Sequence, residues 1–220
     1  MERVSVGSLI PYAKNSRTHT DEQVGKVMAK LEELGIRDNT LVIVLSDHGE
    51  PFGEHGTIRK YGAPIYDELA KMVFMVSLPG VVPQGTMSDA LVQNTDFAVT
   101  LASFLDLELP PARGEADRWN KGYDGLDLVP LIRGEVESVR DTAYIGAFNL
   151  HAGLRRGPWK FIDNQGRKPN ELYNLDADPK ERNNRIDDEK TLAVELHRRV
   201  GEFRSRWSVT LSWRDKPVGQ

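Results

Sequence analysis

The run Thr40-Leu41-Val42-Ile43-Val44-Leu45-Ser46 leads straight into Asp47-His48-Gly49-Glu50, and this junction constrains the chain most. An apolar, β-branched run without alternation predicts a strand buried on both faces, as in a parallel sheet flanked by helices. A second such run, Met72–Leu78, ends at Pro79-Gly80. Before the first strand, Val24, Val27, Met28, Leu31 and Leu34 share one helical face, with Thr20 or Asp21 as its cap and Gly35 as its stop. Residues 95–105 predict another helix, with Thr95 as cap. Helix, strand, loop, strand, helix reads as an α/β class, mostly parallel sheet with flanking helices.

Prolines and glycines punctuate residues 108–135. Short strands are then predicted at Ala143–Ala147, Ala152–Arg155, Trp159–Ile162 and Glu171–Leu175, with a turn at Asn164-Gln165-Gly166. A last helix carries Leu192, Leu196, Val200, Phe203 and Trp207 on one side. This second group reads as a small antiparallel sheet with one helix. Three regions follow: a polar leader over 1–20, an α/β part over 21–135 and a small α+β subdomain over 136–220. In 220 residues there is no cysteine, so disulfides, thiolate metal sites and a cysteine nucleophile are excluded. A net charge of −4 argues against a general nucleic-acid binder. No apolar stretch approaches the roughly 20 residues of a membrane span, and Met1–Val6 does not read as the start of a signal peptide.

Chemistry concentrates just past the first strand, in Asp47-His48-Gly49-Glu50-Pro51-Phe52-Gly53-Glu54-His55-Gly56. Open α/β sheets bind ligands at the carboxyl ends of their strands. Asp47 offers carboxylate oxygen and His48 imidazole nitrogen. With no thiolate present, the ion expected is Ca²⁺ or Mg²⁺, with Mn²⁺ or Zn²⁺ admitted by the histidine. Two ligands do not complete a shell, and a polar surface turn is the plain alternative.

The same segment, Ser46-Asp47-His48-Gly49-Glu50 with Gly53-Glu54-His55-Gly56 and Lys60, resembles the second metal-binding segment of the sulfatases, in the alkaline phosphatase superfamily. Further blocks resemble the family in order: Asp38–Val44, Tyr66-Asp67-Glu68 with Leu78-Pro79-Gly80, and Asp124–Leu128 with Pro130–Gly134. So do Leu154-Arg155 with Trp159–Ile162, and Glu171–Leu175 with Asp178-Pro179. The resemblance implies the C-terminal part of an alkaline-phosphatase-like sandwich and metal-dependent hydrolysis of sulfate esters in a small molecule or glycan. Asp47 and His48 take the metal positions, usually for Ca²⁺, and His48 stands where other members carry Asn. Lys60 takes the catalytic position of a lysine that contacts sulfate and leaving oxygen. His55, Glu50 and Glu54 are expected to touch substrate or brace the loop. His151 reads as a surface histidine, His197 as structural, and Trp119 as packing.

Sulfatases use a formylglycine made within Cys/Ser-x-Pro-x-Arg, and no such motif occurs here. The resemblance begins near Asp21, so the family's N-terminal half, with its nucleophile and further ligands, is expected to be missing and would be a partner. The chain alone is then expected to be catalytically incomplete, with an exposed sheet edge and bare apolar helix faces. Phosphonate or phosphate monoester hydrolysis and non-catalytic binding of sulfated glycan are the alternatives. Residues 1–24 also resemble the opening of a ParB-like domain, in which Lys14, Arg17 and His19 would face phosphate.

Overall fold

The computed structural model describes residues 21–60, 62–109, 124–147 and 150–207. Helix α1 spans Asp21–Glu33 and stops before Gly35, whose φ of 67° turns the chain out. Strand β1 is Val42–Leu45, α2 is Asp67–Ala70, β2 is Phe74–Ser77 and α3 is Asp96–Phe104. After α4, Val129–Ile132, come β3 (Thr142–Ala147), β4 (His151–Arg156), β5 (Trp159–Asp163) and β6 (Glu171–Asn174), and then α5, Lys190–Trp207. The chain is mixed α/β, and no described helix is long and apolar enough to cross a membrane.

Two expectations about the first sheet are corrected. Strands β1 and β2 pair antiparallel, Val42 opposite Ser77 and Leu45 opposite Phe74. A parallel return needs a crossover, usually a helix, that carries the chain back along the sheet. Here the connection carries only the acidic loop and the four-residue α2, so the chain re-enters where it left, and Ser46 N–H extends the ladder to Val73 O. An unbroken apolar run reports burial but not strand direction. Nor are the two strands fully buried: every residue is partly exposed, Leu45 the most among the β1 residues. On α1 Val24, Met28 and Leu31 are half-buried, while Val27 is 55% exposed and Leu34, just past the helix, 56%.

The second sheet follows the sequence closely. Its order is β3-β4-β5-β6, antiparallel throughout. The turn at 164–167 closes from Arg167 N–H to Asn164 O, with Gln165 and Gly166 both at positive φ. On one face α5 lays Ala193, Leu196 and Val200 against Ala152, Leu154, Phe161 and Leu172. Phe203, also on α5, stacks on Tyr144 at 4.0 Å between ring centroids. On the other face Ile162, Tyr173 and Leu175 meet Ile65 and Tyr66 from the first part. Burial on both faces explains why β4 and β5 contain almost no exposed position.

Smaller features also differ from expectation. Thr95 makes no capping hydrogen bond and has helical dihedrals. Asp96, the first residue of α3, instead ties the helix start to its surroundings: its carboxylate accepts Gln93 and Leu126 N–H and is gripped by both Arg140 terminal nitrogens. His151, read as a surface histidine, is buried at the start of β4, where residues 151–154 are all buried because both faces of the sheet are covered. Its Nδ1–H donates to Asn164 Oδ1 at 2.8 Å, since Asn164 Nδ2 already serves Pro169 O and Glu171. His197 is exposed on α5, 3.9 Å from Asp163 and tilted on Phe161. Thr20, Trp119 and the residues of the leader lie outside the described residues.

Candidate active site

The loop leaving β1 turns at Gly49, and only glycine fits there. A Cβ on residue 49 would lie 2.0 Å from Glu68 O, while Gly49 N–H donates to Leu69 O at 2.9 Å. The loop therefore rests directly on the backbone of α2. That contact throws Asp47 and His48 to the carboxyl end of the strand. Asp47 is 81% exposed at its side chain and His48 20%. Asp47 Oδ1 accepts His48 N–H, and Asp47 Oδ2 lies 3.4 Å from His48 Nε2.

The proton on His48 follows from its neighbours. Nδ1 lies 2.6 Å from Gly49 O, which can only accept, so Nδ1 carries the hydrogen. Nε2 then presents its lone pair, and Lys60 Nζ donates to it at 2.8 Å. Asp47, His48 and Lys60 are thus drawn into one charged corner. The lone pair of Nε2 and the carboxylate of Asp47 converge closely enough to serve one cation. Lys60 now occupies that direction, so an ion on Nε2 requires its ammonium to swing aside. Among the described residues no third His, Asp or Glu joins them in a metal-holding cluster. The pair is a partial donor set.

The other sequence candidates point elsewhere. His55, at φ 50°, stacks on Tyr66 with ring centroids 3.7 Å apart and sits 3.8 Å from Glu68. Glu54 accepts Phe52 N–H at 2.6 Å and so braces the loop. Glu50 is partly buried on the same loop.

Behind the corner lie residues that sequence reading gave no role. Glu171 is buried in β6 and accepts from Tyr66 and Tyr173 hydroxyls at 2.6 Å each, from Lys168 at 2.6 Å and from Asn164 at 2.9 Å. Burial alone would raise its carboxyl, but these donors outweigh it and hold it at about 2. Burial, followed by the hydrogen bond to Glu171, pushes both tyrosines above the usual phenol range. Lys160, fully buried in β5, lies 2.7 Å from Asp67 Oδ1 and 2.9 Å from Glu181 Oε1. The contact with Glu181 is an ion pair off the line of a hydrogen bond. Burial, only partly offset by Lys160, raises Glu181 to about 7. One signal for this cluster was available: a lysine inside the apolar Trp159-Lys160-Phe161-Ile162 needs a buried counter-charge.

A charged corner at the carboxyl end of a strand is backed by a small antiparallel sheet with one helix, and this mixed α/β chain superposes on proteins of the alkaline-phosphatase-like fold. Residues 9–107 match the sulfatase family model, a match that starts within the segment read as a leader. The N-acetylglucosamine-6-O-sulfatase of Bacteroides thetaiotaomicron is 30% identical over 176 residues, covering 74% of this chain and 29% of that protein. The structure of BT4656 in complex with its substrate D-glucosamine-2-N,6-O-disulfate superposes with a TM-score of 0.71 at 26% identity, covering 87% of this chain and 39% of the other. The phosphonate monoester hydrolase of Agrobacterium radiobacter superposes with a TM-score of 0.68 at 25% identity, covering 85% and 39%. The chain belongs to the sulfatase family. It spans about a third of the length of the curated relatives it matches.

Proposed function

We propose that this chain supplies one side of a sulfatase active site, for metal-dependent hydrolysis of sulfate esters of a small molecule or glycan. The observation that carries the reading is the convergence of Asp47, His48 and Lys60 at one corner. Asp47 and His48 would hold a divalent cation, Ca²⁺ first and Mg²⁺ or Mn²⁺ as alternatives. When bound, the cation supplies positive charge that draws electron density from the ester oxygens. Lys60 offers its ammonium to the leaving oxygen, where negative charge develops as the S–O bond breaks. His48 is held by Gly49 O so that its Nε2 faces the site and not the loop. Pulling Lys60 off Nε2 onto the sulfate would free that lone pair for the cation, so substrate and ion should bind together.

The 220 residues contain neither cysteine nor a Ser-x-Pro-x-Arg segment from which formylglycine could be made. The nucleophile and the remaining metal ligands therefore come from further polypeptide, the part of the family fold that this chain does not span. The half-exposed β1–β2 pair supports such a partner. As isolated, the chain is a catalytically incomplete fragment. The substrate class draws on the N-acetylglucosamine-6-O-sulfatase and on BT4656 with its sulfated glucosamine.

The test is calorimetry of the purified chain with CaCl₂, together with an aryl sulfate assay. Weak Ca²⁺ binding that Asp47→Ala abolishes, with no turnover above buffer, is the expected result. Turnover by the chain alone would refute its incompleteness, and Ca²⁺ binding indifferent to Asp47→Ala would refute the site. Phosphonate or phosphate monoester hydrolysis is the second reading, favoured by the superposition on the phosphonate monoester hydrolase. Titrating the Ca²⁺-loaded chain with an aryl sulfate and an aryl phosphonate separates the two by which one binds through Lys60.

A further inference from the structure

Lys160 is a lysine with no exposed surface, placed on β5 in a different part of the fold from the charged corner. Its Nζ donates to Asp67 Oδ1 at 2.7 Å and faces Glu181 Oε1 at 2.9 Å. Glu181 Oε2 in turn accepts the backbone N–H of Asp67 at 2.6 Å. Both ends of the first residue of α2 are thereby held. A four-residue helix does not stand on its own propensity, so its place is set by what grips it. From α2 the contacts run on without a break. Leu69 O accepts Gly49 N–H at 2.9 Å, and Gly49 O accepts His48 Nδ1–H at 2.6 Å. His48 Nε2 then receives Lys60.

We infer that Lys160 is a positioning residue: by clamping Asp67 and Glu181 it fixes α2, and through Leu69 and Gly49 it sets the tautomer and aim of His48. The relevance to catalysis rests on the function proposed for the corner, but the geometric claim does not. Removing the ammonium leaves Asp67 and Glu181 as neighbouring carboxylates with nothing between them. Asp67, left without its cation and a quarter exposed at its side chain, would turn to solvent for partners, tilting the start of α2 and carrying Gly49 with it. His48 would then lose the acceptor that selects the Nδ1–H form.

The experiment is Lys160→Met in the full 220-residue chain, in chelator-treated buffer, read by imidazole nitrogen NMR and amide hydrogen exchange. In the wild type His48 should show protonation at Nδ1. In Lys160→Met a mixture of tautomers is expected, with Gly49 exchange accelerated about tenfold or more while β4 and β5 keep their protection. A folded variant with an unchanged His48 spectrum and unchanged Gly49 exchange overturns the inference. So does a uniform loss of protection across β3–β6, which would make Lys160 a general stabiliser. If Lys160→Met does not fold, Lys160→Met/Glu181→Gln removes both buried charges and faces the same outcomes. A separate Ca²⁺ titration of the wild type keeps the two ideas apart. Failure to bind Ca²⁺ counts against the ion reading alone, whereas an unmoved His48 counts against Lys160 alone.

Discussion

Asp47 and His48 owe their use to one backbone atom. Gly49 O orients the imidazole, and under the proposed function the carboxylate beside it would complete a two-donor bite. Asp47→Ala is expected to weaken Ca²⁺ binding by at least about tenfold, because one of two charged or lone-pair donors is lost, as calorimetry would show. Two buried glutamates govern the response to acid and base. Glu171, held at about 2 against an ordinary 4.5, contributes stability above 4.5 that is lost as pH falls toward 2. Glu181, raised to about 7, does the reverse. Its contribution is whole below 4.5 and is lost as pH rises through about 7. Urea midpoints should therefore fall between about pH 5 and about pH 8, and Glu181→Gln should flatten that fall while leaving the acid limb in place.

Elements show where local signals suffice. Strands β3 to β6 lie within a residue of their predicted positions, because short runs between turns have few other ways to pair. The core they share with α5 is closely packed. Leu154 has no exposed surface, and Leu154→Ala is expected to cost about 2–5 kcal/mol, measurable by denaturant unfolding. Helix α2 was not foreseen, since four residues carry no periodicity. Its importance comes from contact. Gly49→Ala would drive a methyl into Glu68 O, so the loop must lift off α2. The expected readout is loss of the His48 Nδ1–H signature with far-ultraviolet circular dichroism nearly unchanged. The antiparallel pairing of β1 and β2 is likewise not legible, because an unbroken apolar run reads the same for either strand direction.

At the scale of the molecule the two parts differ in completeness. The second sheet is covered on both faces, by α5 and by the Ile65–Tyr66 segment. The first part leaves Val27, Leu34, Ile36, Leu45 and Val73 exposed. Amide exchange should accordingly be slowest in β4 and β5 and much faster in α1, β1 and β2, a gradient that hydrogen-exchange mass spectrometry would reveal. Equal protection in both parts would contradict it. By itself the sequence determined the longer elements, the family and the residues of the charged corner, since these depend on residue type, periodicity and short spacing. Only the tertiary structure decided strand direction, the burial of His151 and the pair of carboxylates at Lys160. Those depend on which residues, distant along the chain, come to share a space that water has left, and no local pattern encodes that choice.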